Sequence, residues 1–481
     1  VPPRVVTEEE NAVLRAGVAQ RGLAIRAFLE DYNAGNDRVI HRLIPKDVLA
    51  RIVARSGEFG WRGQLAPGSI AFPYGPDIIR APDGSWRVVE DNHGYIGGMG
   101  DLIRAREALY RRMPEYAELL EARTDPEQFY KDLVTRYREM ANPRGGKIVL
   151  FSMPPYPDNE DYRLKKIMND QGVEVVTPHT KKKLEADKDG AWLVEEGRRR
   201  ERVGYVHLND EHKWLDPKGT DGDLVARVET IRTLLKEPDL DPGLRYVLED
   251  AIRPVGKAGK PDANLVRVVF EFTGQERKFR SHMEWKIPGL LEAMARGRVA
   301  TNFSPGIEFI GDKEFYLYVE SLVRHYRKEE PILRSIPTQR FARFTAEGFV
   351  LDKALLQKVM KDPARYVIKA VDGRGGDAVW VGAKIPPREF RAVARKIEAD
   401  PSVYIVQEYT ALSRIGDKIG DIRGLSLIDR KGAVVTETFW ARALPASGDG
   451  KVNISAHGRE MAVVVVKGRK GCEESFARIR P

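Results

Sequence analysis

Residues 76–92 run from Pro76 and Asp77 through Pro82, Asp83 and Gly84 to Glu90, Asp91 and Asn92, and that order leaves the segment few shapes. An apolar strand carrying Asp77 meets a Pro-Asp-Gly turn, and a second strand ends in Glu90 and Asn92. An antiparallel return of this length brings Asp77 near Glu90 and Asn92 on one sheet face. Two carboxylates and an amide oxygen make a hard oxygen site, of the kind Mg²⁺ takes when nucleotide phosphate and water fill the rest of its shell. A plain surface hairpin with acidic ends fits the same spacing.

Residues 366–381 read as strand, glycine loop, strand. Gly373, Gly375 and Gly376 would let backbone N–H groups approach phosphate oxygens closely, with Arg374 between them. Lys369 leaves the strand just before the loop and could reach a phosphate as a point charge. A strand follows rather than a helix, so the loop is expected to fold over a nucleotide as a flap; an ordinary tight turn is the alternative. Pro387 to Asp400 reads as an amphipathic helix with Phe390, Val393, Ala394 and Ile397 on one side. The next strand ends in Gln407, Glu408 and Tyr409 and could offer backbone hydrogen bonds to an adenine edge between apolar walls. An ordinary strand end is again the alternative.

Asp421 and Arg423 open a strand expected to continue through Ile428, turn at residues 429–432 and return through Trp440. Arg442 and Asn453 lie beyond it. Arginines so placed bind a transferring phosphoryl group or a carboxylate bidentately, and Asn453 could complete a metal or phosphate shell. Taken singly, each arginine also suits a solvated surface.

In sequence order, a lysine, glycine loop, Gln-Glu hinge, Asp-x-Arg, Arg and Asn, with the Asp and Glu-x-Asn placed near the N-terminus, resemble the ATP-grasp superfamily in circularly permuted form, related to the glutathionylspermidine synthetase-like group. Residues 203–210 with 214–217, and 289–294 through 311–313, resemble that group's intervening segments. The resemblance covers roughly residues 60–460. It implies an α/β (α+β) fold: a circularly permuted ATP-grasp core, a Rossmann-like substrate-side domain and a helical N-terminal region. It implies an ATP-dependent carboxylate–amine ligase, forming a peptide or amide bond through an acyl phosphate, with ATP and Mg²⁺ as cofactors. Asp77, Glu90 and Asn92 would hold Mg²⁺. Lys369 and the Gly373–Gly376 loop would hold the phosphates with help from Lys313, and Gln407, Glu408 and Tyr409 would frame adenine. Arg423 and Arg442 would steady the phosphoryl group, and Asn453 would complete the shell. The chain departs from the pattern at Val206-His207-Leu208, at Arg374 and at His93–Gly100, which leaves the acceptor open. An ATP-grasp phosphotransferase, for which His457 is a candidate, and a nucleotide-binding pseudoenzyme or partner subunit are the other readings.

A chain of 481 residues has room for two or three domains. With 42% apolar and 31% charged residues and no apolar run near the ~18–20 residues of a span, no membrane helix is expected. The first residues show no charged-then-apolar signal segment, and the missing Met suggests a processed or trimmed start. Cys472 is the sole cysteine, which excludes an internal disulfide and fits a reducing cytoplasm. The net charge of +9 suits acidic small molecules; its basic runs lack the interleaved aromatics of a nucleic-acid platform. The partners implied are therefore carboxylate and amine substrates, small molecules or peptides, with homo-oligomers left open.

Residues 1–60 read as helices, with Thr7 as an N-cap and Glu10 three residues on. The hairpin and further helices fill 61–140. A β-α-β rhythm from Lys147 to Leu208 implies a small parallel sheet within 141–330, with the charged hairpin Leu184–Gly197 as a solvated edge. A lid at 331–412, core strands at 413–466 and a basic tail at 467–481 complete the expected organisation.

Overall fold

The computed structural model describes residues 3–467 apart from 57–60, 95, 115–126, 142–144, 152–159, 178–179, 196–199, 209–219, 239, 241, 255–260, 262–265, 267–268, 270–286, 346–347, 372–377, 449, 451 and 453–457. Helix α1 (Glu8–Ala34) starts where Thr7 and Glu10 cap it reciprocally: Thr7 Oγ1 accepts from the Glu10 N–H and Glu10 Oε2 from the Thr7 N–H, each at 3.1 Å. Such a cap contributes about 1 kcal/mol. Leu14, Val18, Ile25, Phe28 and Leu29 form its buried stripe, and Arg21 sits in the same stripe. The residues before it, Arg4–Thr7, are a strand rather than helix. They pair in parallel with Val463–Val466, an apolar partner too distant in sequence to be seen.

The remaining helices near the site are α2 (Lys46–Ser56), α3 (Asp101–Arg112), α4 (Gln128–Ala141), α5 (Lys353–Lys361) and α6 (Pro387–Ala399). Around the site run β1 (Asp77–Arg80), β2 (Trp86–Glu90), β3 (Arg334–Ser335), β4 (Thr338–Arg340), β5 (Tyr366–Ala370), β6 (Val379–Val381), β7 (Tyr404–Glu408), β8 (Lys418–Arg423), β9 (Trp440–Pro445) and β10 (Arg459–Met461). They make two sheets. The core sheet runs β3-β2-β1-β8-β9-β10, with Arg414–Ile415 added beside β8. Its β1–β8 pairing sets Asp77 opposite Arg423, so the early hairpin completes a sheet begun by the late strands, as the permuted order requires. The lid sheet is antiparallel, β4-β7-β5-β6, and buries Phe390, Val393, Ala394 and Ile397 of α6 against Ile368 and Val406. Strand β4 and helix α5, unassigned from sequence, belong to this layer.

The strand expected to run from Asp421 to Ile428 is broken. β8 stops at Arg423, and Ser426–Asp429 pairs instead with Phe72–Tyr74 and Gly432–Val435 in a separate sheet. The return through Trp440 is divided likewise, β9 starting at Trp440. The break has a packing cause: a Cβ on Gly424 would lie 2.9 Å from Val18 Cγ2, so the chain passes closely under α1 there. The Gly424 N–H donates to Pro76 O at 3.1 Å.

The β-α-β segment forms a mixed sheet. Glu174–Val176, Lys147–Phe151 and Glu201–Leu208 are parallel, as expected. The charged hairpin forms one edge of this sheet, as expected, but it is paired and partly buried: Gly190–Val194 pairs antiparallel with Glu201–Leu208, Lys183–Asp187 is the edge strand beside it, and Leu184, Ala191 and Leu193 are buried. Alternation hid those apolar residues among lysines and glutamates. Among the described residues no helix is long and apolar enough to cross a membrane.

Candidate active site

The core and lid sheets enclose a cavity of about 720 Å³. Its floor follows from strand register. In antiparallel pairs, residues directly opposite share a face. Glu90 stands opposite Asp77, Asp77 opposite Arg423, and Arg423 opposite Trp440, giving one row across β2, β1, β8 and β9. Asp421 stands opposite Arg442 in the next row.

These groups are ion-paired. Arg423 donates through Nε to Asp77 Oδ1 at 2.7 Å and through Nη2 to Oδ2 at 3.1 Å. Arg442 donates through Nε to Asp421 Oδ1 at 3.0 Å and through Nη2 to Oδ2 at 2.6 Å, and its Nη2 lies 2.9 Å from Asp77 Oδ2. Both guanidinium groups lie over the Trp440 ring, 5.5 and 5.3 Å from its centroid. Gly98 is required beside that ring, since a Cβ there would come within 2.4 Å of Trp440 Cδ2. Burial opposes ionisation of Asp77, but Arg423 and Arg442 more than offset it and hold its carboxyl far below the usual range. Asp421 moves the other way, raised by burial despite Arg442.

Glu90 pairs with Lys313, Nζ to Oε1 at 3.0 Å. Burial works against its charge, yet Lys313 and Lys369 prevail and its pKa is lowered. Lys369 enters from β5 and donates to Val89 O at 3.3 Å. Burial depresses its pKa to about 8, with Glu90 opposing the shift and Lys313 adding to it. Gln407 donates to the same carbonyl at 3.2 Å and to Thr338 Oγ1 at 3.1 Å. Two lid side chains therefore dock on the strand that carries Glu90.

Asp77, Glu90, Asn92, Lys313, Lys369, Gln407, Glu408, Tyr409, Arg423 and Arg442 all line this one cavity. Gly373, Arg374, Gly375, Gly376, Asn453 and His457 lie outside the described residues. The hinge differs from expectation in its backbone. The Glu408 N–H donates to Pro337 O and the Tyr409 N–H to Arg365 O, so neither is free for a base edge. The Gln407 amide is turned into the junction between lid and core.

Sequence reasoning assigned no role to Asp421 or Trp440. It also missed the wall formed by α2, where Arg55 binds Asp312 at 2.6 and 2.9 Å and Glu314 at 2.6 Å. Beneath the floor it missed Arg21, which binds Asp91 at 3.1 and 2.6 Å. An arginine in the apolar stripe of α1 was the available signal.

The donor set fits a hard divalent cation. Asp77 and Glu90 are opposed carboxylates lining the cavity, and among the described residues the buried Nδ2 of Asn92 has no hydrogen-bond partner. Among the described residues no cluster of three or more His, Cys, Asp or Glu forms a self-sufficient cage. Mg²⁺ characteristically takes one or two carboxylates together with substrate phosphates.

A core sheet and an antiparallel lid closing on a cavity lined with lysines, arginines and opposed carboxylates define an ATP-grasp architecture. The chain belongs to the circularly permuted ATP-grasp type 2 family, whose profile matches residues 3–238 and 263–428. It is 27% identical over 421 residues to a Frankia alni protein provisionally named glutamate–cysteine ligase 2-3, covering 86% of this chain and 40% of that one. This chain thus spans well under half of that relative's length. An uncharacterized Synechocystis protein is 25% identical, over 87% of this chain and 72% of its own length. A glutathione synthetase-like effector from Globodera pallida superposes with a TM-score of 0.50 over 97% of this chain and 89% of its own, at 12% identity, and bears on the fold alone.

Proposed function

We propose that the chain is an ATP-dependent carbon–nitrogen ligase that joins a carboxylate to an amine through an acyl phosphate. The observation that carries this reading is the convergence of Asp77, Glu90, Lys313, Lys369, Arg423 and Arg442 on one cavity from segments as far apart in the chain as positions 77 and 442. Lysines and arginines beside opposed carboxylates suit a polyphosphate with its metal. The provisional name of the Frankia relative supports the same class of substrates.

In this reading Asp77, Glu90 and Asn92 hold Mg²⁺, which when bound would neutralise phosphate charge. Lys369 and Lys313 give point charges to the phosphate oxygens, and the Gly373–Gly376 loop with Arg374 supplies further N–H donors to them. Glu408 and Tyr409 border the base, and Gln407 fixes the hinge behind it. Arg423 and Arg442, with Asn453, orient the acceptor and the transferring group. A carboxylate oxygen attacks the γ-phosphorus and the bond to ADP breaks. The amine nitrogen then attacks the acyl carbon, loses a proton, and inorganic phosphate leaves with its bonding pair. Nearly all of this is positioning and charge stabilisation. Closure of the lid keeps water from the acyl phosphate.

The test is a screen of amino-acid and peptide pairs with ATP and Mg²⁺. The expected result is ADP formation requiring both partners, with phosphate released as amide appears. Phosphate retained on a single acceptor would favour a phosphotransferase. Nucleotide binding without turnover across the screen would favour a sensing subunit.

A further inference from the structure

The floor of the cavity holds two arginines on one aspartate, and their situations differ. Arg423 makes two hydrogen bonds to Asp77 and a longer one, 3.4 Å, to Gly97 O. Among the described residues Asp77 is the one carboxylate within ion-pair distance of it. Its side chain is 13% exposed and faces the cavity. Arg442 also touches Asp77, but it has a second carboxylate, Asp421, in a shorter bidentate pair. If Asp77 is taken away, Arg442 keeps a partner and Arg423 does not.

That asymmetry has an energetic consequence. A charge left unpaired in a buried place is strongly unfavourable, whereas exchanging one partner for another is not. A cation at Asp77 strands Arg423 unless an anion arrives. An anion at Arg423 strands Asp77 unless a cation arrives. We propose that Arg423 is a cation-gated arginine: it holds Asp77 until a divalent cation takes that carboxylate, and the released guanidinium then binds the anionic oxygens of the substrate, while Asp421 is the positioning residue that keeps Arg442 on the sheet. This rests on the ligase reading above and divides the labour of two arginines which that reading treats alike. Without Asp421, Asp77 is the one carboxylate among the described residues left to answer Arg442, and it is then gripped from two sides and yielded less readily.

The test separates metal from anion. Mn²⁺ binding to the nucleotide-free chain is measured by electron paramagnetic resonance. Affinity for a non-hydrolysable ATP analogue, adenylyl imidodiphosphate, is then measured at saturating Mn²⁺. Arg423→Met removes the competitor for Asp77, so Mn²⁺ should bind about tenfold tighter while the analogue binds about tenfold weaker. Opposite signs in one variant are not what a structural lesion produces. Asp421→Asn should weaken Mn²⁺ by about tenfold. The double variant Asp421→Asn with Arg442→Gln removes both buried charges and should return Mn²⁺ affinity to at least the wild-type value; it also covers the case in which Asp421→Asn alone does not fold. Unchanged or weaker Mn²⁺ binding in Arg423→Met overturns the gate. Mn²⁺ affinity still below wild type in the double variant overturns the role of Asp421. A wild-type chain that binds neither Mn²⁺ nor the analogue would overturn the ligase reading itself.

Discussion

Strand β2 ends at Glu90, and Glu90 and Asp91, the residue that follows it, face two kinds of electrostatic surroundings. Behind the sheet, Asp91 is buried against Arg21 of α1, whose side chain is 0% exposed. Tyr74 OH donates to Asp91 Oδ1, and Arg21 donates further to Leu333 O at 3.1 Å and Ser335 Oγ at 3.2 Å. Every polar group there has a fixed partner within the protein. In front, Glu90 is 27% exposed, pairs with Lys313 and lines a cavity. The same residue chemistry is used once as a closed anchor and once as an exchangeable pair. What separates them is not strength of pairing but access: only the front pairs can trade a protein partner for a ligand.

The sharpest way to break this comparison is Arg21→Met. It leaves Asp91 charged, buried and without its counterion, and should cost about 3–5 kcal/mol. The measurement is urea denaturation of the variant against the wild type, with the slope unchanged if the denatured state is unaffected. A loss below about 1 kcal/mol, the range of exposed pairs, would mean that the rear cluster is not an anchor.

The next variant sits one residue from that anchor. Glu90→Gln keeps the shape of the strand and removes one front charge. Lys313 still borders the cavity and can be solvated from it, so the stability loss should be well below that of Arg21→Met. Turnover should fall by about 10²–10³, the scale for losing one preorganised charge-stabilising group. Steady-state kinetics with the substrates found by the screen, beside the same urea titration, reads both effects. Full activity in Glu90→Gln would remove this carboxylate from the proposed metal set. A stability loss equal to that of Arg21→Met would erase the difference between the two faces.

How much of this was legible follows from what kind of signal each residue carries. Asp77, Glu90, Lys369 and Arg423 stand at or next to strand ends and Arg442 stands inside β9, all where polarity interrupts an apolar pattern, and such interruptions can be read locally. The permuted pairing of β1 with β8 came from the order of motifs, because a register between positions 77 and 423 has no local trace. Asp421 was visible as one letter of a motif, but its job is set by Arg442 across a strand pair. The parallel pairing of Arg4–Thr7 with Val463–Val466 and the bend at Gly424 depend on packing against distant partners. Arg21 was the nearest miss. Its place in the stripe of Leu14, Val18 and Ile25 already required a buried acid, and only the fold says that the acid is Asp91.

The smallest expected effect is a fraction of a proton, and it tests whether the front charges are exchangeable. Burial depresses Lys369 from 10.5 to about 8 in the folded chain. Between those values the unfolded chain binds more protons than the folded one, so this group makes stability rise with pH across that window. Below about 8 the lysine is charged and its burial opposes folding. A polyphosphate beside it reverses the preference and raises its pKa. Near pH 8, where about half of the folded molecules carry the proton, nucleotide binding should therefore take up roughly half a proton at this site. Calorimetry of adenylyl imidodiphosphate with Mg²⁺, repeated in buffers of different ionisation enthalpy, measures that uptake. Lys369→Arg is the control, because a guanidinium stays charged throughout this range and has no proton to gain. The wild type should show uptake that grows from pH 7 to pH 8.5, and Lys369→Arg should show none from this position. Equal uptake in both proteins would place the phosphates away from Lys369 and leave its depressed pKa a consequence of burial alone.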